Sequence, residues 1–94
     1  MPDDNEIISR LRQMALAGGR VGELVAYLRN AMPGPDITFG VVHYFRRAFD
    51  LPLYEARLIE GSTLLGGRRY TSEQTEELVL PLILQNKDLW APAE

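Results

Sequence analysis

Glycine and proline cut this chain into short stretches, and within each stretch apolar residues return every three or four positions. The breaks fall at Gly18-Gly19, Pro33-Gly34-Pro35, Asp50-Leu51-Pro52 and Gly66-Gly67. Proline cannot continue a helical hydrogen-bond ladder, and glycine supplies the left-handed turn on which helices stop. Short, punctuated segments with a helical period predict an all-α fold, a compact bundle of about five short helices. With 94 residues the chain has room for one domain, 1–94.

The first helix is expected from near Asp4 to before Gly18. Asp3, Asp4 and Asn5 offer capping oxygens, and Ile7, Leu11, Met14 and Ala15 form one apolar stripe. The second runs from about Arg20 to Ala31 on Val21, Leu24, Val25, Leu28 and Met32. The third opens at Asp36 or Thr38 and ends near Phe49, with Val41, Val42, Phe45, Ala48 and Phe49 inward. Its β-branched start, Ile37 to Val42, also suits a strand, but the apolar pattern continues past strand length. A fourth helix, about Pro52 to Glu60, carries Leu51, Ala56, Leu58 and Ile59. Ser62 to Tyr70 reads as the most mobile loop.

Thr71-Ser72-Glu73-Gln74 matches a capping box and starts the last helix. Pro81 should kink this helix and free the Glu77 carbonyl. Leu78 to Leu84 is apolar almost all round, which predicts burial on more than one side. Any apolar face left over there would suit a homodimer.

Hydrophobic residues make up 46% of the chain and charged residues 24%, enough apolar surface to fold. There is no cysteine, which excludes disulfides, thiolate metal sites and a cysteine nucleophile. The acidic start, Met1 to Arg12, has no basic beginning and no signal-peptide core, and no apolar run spans a bilayer. The expected setting is cytoplasmic.

No catalytic constellation is legible. His43 is the only histidine, and no nucleophile or carboxylate near it in sequence forms a pair. Glu73, Glu76 and Glu77 suit the positive end of a helix, and the carboxylates show no metal-ligand spacing. Gly66-Gly67-Arg68-Arg69 lacks the spacing of a phosphate loop. No enzyme activity, cofactor or metal is expected.

What remains is a surface. Arg46, Arg47, Arg57, Arg68 and Arg69 crowd the middle of the chain, while Lys87 is the only base after Tyr70. Arg46, Arg47, Arg68, Arg69 and Tyr70 are expected to form one basic, partly aromatic patch. Arginine forks fit carboxylates as well as phosphates. Trp90 completes the candidate partner-binding set, either as a lid folded onto the core or as an exposed anchor.

Two resemblances bear on these residues. Val42 to Glu60 (VHYFRRAFDLPLYEARLIE) resembles the helical hairpin in the C-terminal domain of bacterial ribosomal stalk proteins, without the strands that flank it there. Phe49-Asp50-Leu51-Pro52-Leu53, Glu55-Ala56, Leu80-Pro81-Leu82-Ile83 and Leu89-Trp90 together are similar to small helical bacterial proteins, some of them toxin-immunity-like. That second resemblance implies a non-enzymatic protein–protein interaction module, an immunity protein whose partner is a cognate toxin. The alternative is a small helical nucleic-acid-binding regulator, with Arg46 and Arg47 on the phosphate backbone.

Overall fold

Asp3 begins the first element by accepting the Glu6 N–H at 2.8 Å, and α1 then runs Asp4–Leu16. The computed structural model describes residues 3–34 and 36–91. Ile7, Ile8, Leu11 and Ala15 line the buried face of α1, and Gly18, at φ +88°, stops the chain where an L side chain would be strained.

Helix α2, Val21–Ala31, follows. Two acidic side chains serve its start. Glu23 accepts the Arg20 N–H at 3.0 Å, and Glu76, far along the chain, accepts the Val21 N–H at 2.8 Å. A carboxylate at this end satisfies an orphan donor and complements the helix dipole.

Helix α3 spans Thr38–Phe49 and buries Val41, Val42, Phe45, Ala48 and Phe49, the face its spacing predicts. Ile37 to Val42 enters a helix, not a strand. Asp36 accepts the Thr38 N–H at 3.0 Å, and that bond holds its carboxyl below the usual aspartate range. The helix ends on Asp50 in the left-handed conformation, φ +52°. The amides of Asp50 and Leu51 both turn back to the Arg46 carbonyl.

The expected fourth helix is shorter than its pattern. Helix α4 covers Leu53–Ala56 and tightens at once into a 3₁₀ turn, Arg57–Gly61. Ala56 and Ile59 point inward, while the last carbonyls of the turn serve the following loop rather than a continuing helix.

That loop corrects the expectation of mobility. Ser62 to Tyr70 contains a further 3₁₀ turn, Thr63–Leu65, and a bridge pairs Ser62 with Tyr70. The amides of Arg69 and Tyr70 donate to the Gly61 carbonyl, both at 2.9 Å, Gly67 donates to Ser62, and Thr63 donates to Tyr70 at 2.8 Å. The backbone closes on itself instead of dissolving into solvent.

Helix α5, Ser72–Gln85, starts on the expected box. The Gln74 amide donates to Thr71 Oγ1 at 3.1 Å, and the Thr71 amide donates to Gln74 Oε1 at 3.0 Å. The expectation that Leu78 to Leu84 is buried on more than one side holds in part. Val79 and Ile83 are buried, but Pro81 is exposed and Leu84 is 43% exposed. Leu78, Leu80 and Leu82 pack partly buried against the core, and the proline lies on the outer side of the helix. Helix α6, Lys87–Trp90, folds the chain back against α3.

Among the described residues, all six helices and the first 3₁₀ turn contribute to one core, which runs from Ile7 through Phe45 and Phe49 to Trp90. The Cα radius of gyration, 12.2 Å, matches the ~12 Å expected of a single compact domain of this length. Among the described residues no helix is long and apolar enough to cross a membrane.

Candidate partner-binding surface

The arginines expected to form one patch are divided, Arg46 and Arg47 on α3 and Arg68 and Arg69 in the loop before α5. Arg47, in the last turn of α3, reaches across to α1 and lies 3.3 Å from Asp4. The same carboxylate accepts the Tyr44 hydroxyl at 2.6 Å, which raises the Tyr44 pKa above its ordinary value. Arg12 of α1 answers by donating to the Ala48 and Arg47 carbonyls at 2.7 and 3.1 Å, closing the end of α3. Asp4, Tyr44, Arg47 and Arg12 thus join two helices, and Arg47 is engaged there. Arg46 is exposed, and its side chain makes no ion pair or hydrogen bond with the other described residues.

His43 is exposed on the same helix, with its ring edge-on to Tyr44 at 5.0 Å. Among the described residues no nucleophile or carboxylate hydrogen-bonds or pairs with its ring, and it sits on the surface. Among the described residues no group of three or more His, Cys, Asp or Glu is arranged to hold a metal ion.

Trp90 belongs to the core. It is 3% exposed, packs edge-to-face on Phe49 with centroids 5.1 Å apart, and donates its indole N–H to the Ile83 carbonyl at 2.9 Å. Of its two expected roles, it takes that of the lid. The indole closes the C-terminal end of α5, where backbone carbonyls lack helical partners. As an exposed partner anchor it is therefore withdrawn.

Arg68, Arg69 and Tyr70 do come together, and they do so with residues that the sequence reading passed over. They line a depression of about 550 Å³ with Tyr54, Arg57, Leu58, Glu60, Gly61 and Gly67. Neither Arg46 nor Arg47 lines it. Helix α4 supplies Tyr54, which is 74% exposed, and the adjoining turn supplies Arg57 and Glu60. Arg57 Nε donates to Glu60 Oε1 at 2.8 Å, and this bond raises the guanidinium pKa above its usual value. Arg68 and Arg69 form no ion pair among the described residues.

The backbone beneath these two arginines is built, not draped. Gly67 lies so close to the preceding turn that a Cβ there would stand 2.6 Å from the Gly61 carbonyl carbon and 2.7 Å from the Glu60 carbonyl oxygen. Ser62 and Thr75, both fully buried, tie the base of the loop to α5 through hydroxyls 2.6 Å apart. Ser62 Oγ also accepts the Leu64 amide at 3.1 Å, and Thr75 Oγ1 lies 2.7 Å from the Thr71 carbonyl.

Tyr54 was within reach of the sequence. Leu51, Ala56 and Ile59 fill the interior positions of this segment, which leaves an aromatic side chain outside the apolar stripe. Placing it beside Arg68 required knowing that the loop folds back on Gly61, and no local pattern carries that information.

No family model, no curated protein and no solved structure matches this chain.

Proposed function

We propose that this chain is a non-enzymatic interaction module that engages a protein partner through the depression between Tyr54 and the Arg68–Tyr70 loop. The observation that carries this reading is the pair of guanidiniums on Arg68 and Arg69. They lack carboxylate partners among the described residues and share a concave surface with exposed Tyr54. Tyrosine and arginine are the side chains that most often anchor protein interfaces, and here both stand on backbone already fixed by hydrogen bonds. Binding on fixed backbone avoids the entropy cost of ordering a loop.

The form of module that the sequence resemblance favours is an immunity protein, which neutralises a toxin by covering its active site. The test is co-purification of tagged protein from native cells, wild type beside Tyr54→Ala. One partner in fixed stoichiometry, lost or strongly reduced with Tyr54→Ala, is the expected result. A partner retained equally by both forms would place the contact elsewhere, and no partner at all would end this reading.

A nucleic-acid-binding regulator is the second reading, favoured by Arg46, which is exposed and unpaired among the described residues on α3. Duplex DNA binding that weakens steeply with salt, and that Arg46→Ala reduces, would establish it instead.

A further inference from the structure

We infer that the segment of the partner seated in this depression is acidic, with its carboxylates paired to Arg68 and Arg69. The inference rests on the interaction-module reading and assigns its chemistry.

The charges in the depression are not equivalent. Arg57 is already matched by Glu60, so that pair is internally neutral. Arg68 and Arg69 supply two positive charges that nothing described in the chain offsets. The Arg68 backbone N–H also makes no backbone hydrogen bond, while its neighbours Gly67, Arg69 and Tyr70 all donate inward. Two forked guanidiniums and a backbone amide without a partner are donors suited to carboxylate oxygens. Tyr54 and Tyr70 flank them with aromatic surface on which the rest of a peptide can lie.

Size and sign select a short acidic segment over a nucleic acid. Proteins that hold duplex DNA by charge neutralise on the order of six to ten phosphates, and this site offers two free cations. The whole chain carries a net charge of −3, so its overall charge does not favour a polyanion. A segment with one or two well-placed carboxylates is enough to match the two free guanidiniums.

The test uses the full chain and an end-blocked hexaglutamate peptide, with hexalysine and a short DNA duplex as comparisons, followed by amide chemical shifts. Hexaglutamate should shift the resonances of residues 67–70 and of Tyr54, leaving the helical pattern intact. The double substitution Arg68→Ala/Arg69→Ala should weaken peptide binding about tenfold or more. Both side chains are exposed, and unchanged far-ultraviolet circular dichroism confirms that the variant folds. Lysine at both positions should recover part of the affinity, since charge returns without the fork.

Tighter binding of the duplex than of the peptide would overturn the inference, as would peptide binding indifferent to the arginines. So would failure of hexaglutamate to bind a protein whose native partner still depends on Tyr54. That last result would leave the interaction module standing and remove only the acidic segment.

Discussion

The hydroxyl oxygens of Ser62 and Thr75 lie 2.6 Å apart in the interior, and these two residues are the only fully buried polar side chains among the described residues. Thr75 has one hydroxyl proton. When it donates that proton to the Thr71 carbonyl, Ser62 donates to Thr75 and accepts from the Leu64 amide. Every polar atom in the cluster is then satisfied, which is the condition for burying it at low cost. Replacing one partner breaks that condition. Thr75→Val should lower the unfolding free energy by about 1–3 kcal/mol, because the Ser62 proton loses its acceptor. Adding Ser62→Ala should cost less than the sum of the two single changes, since the hydroxyl left stranded is also removed. Urea unfolding of the two single variants and the double variant measures both quantities.

The helices were legible because their information is local. Asp3, the Thr71–Gln74 box and the stop at Gly18 act within a few residues, and the stripe from Val41 to Phe49 repeats at the helical period. The misread parts depend on distant neighbours. Ser62 to Tyr70 looks like a loose glycine-rich loop until Gly61 accepts two amides and Thr75 meets Ser62. Leu84 looks like core because hydropathy does not say how many neighbours a helix will find, and α5 leaves Pro81 and Leu84 outside. Of the candidate surface, Arg68, Arg69 and Tyr70 were readable as charge and aromaticity. Tyr54 joins them only through the fold, Arg47 is taken up by Asp4, and Trp90 is drawn into the core by Phe49.

Gly67 supports the proposed surface through close backbone approach, not through positive φ. Gly67→Ala would place its methyl against the backbone of Glu60 and Gly61, which cannot rotate away as a side chain could. A destabilisation of about 1–3 kcal/mol is expected, as for overpacking elsewhere. Hydrogen exchange should show where it acts. The Arg69 and Tyr70 amides, which donate to Gly61, should lose protection before those of α1 and α3.

Trp90 is the only tryptophan, so its fluorescence reports on one site. Burial at 3% exposure predicts a blue-shifted emission and weak quenching by acrylamide in the folded protein. Trp90→Ala should cost about 3–5 kcal/mol, close to the whole stability of a small domain. Trp90→Phe keeps an aromatic ring against Phe49 but removes the donor to the Ile83 carbonyl, and a smaller loss of about 1–3 kcal/mol is expected. Denaturant unfolding followed by circular dichroism compares all three proteins without relying on the tryptophan.

Tyr44 gives the protein an alkaline sensitivity whose sign follows from its partner. Its hydroxyl donates to Asp4, and that bond, with burial and the carboxylate charge, raises the folded pKa above the ordinary 10.0. The neutral phenol is therefore favoured in the folded state. Its contribution is fully present below the unfolded value and is lost as pH rises through the higher folded value. What weakens is the link between α1 and α3, because a phenolate facing a carboxylate repels where the phenol had bonded. Tyr44→Phe removes the titrating group, so its stability should fall less steeply with pH across the tyrosine range than that of wild type. Unfolding free energies measured from neutral pH upward, together with tyrosinate absorbance, test this. Equal alkaline slopes for the two proteins would show that the Tyr44–Asp4 bond contributes nothing to the folded state.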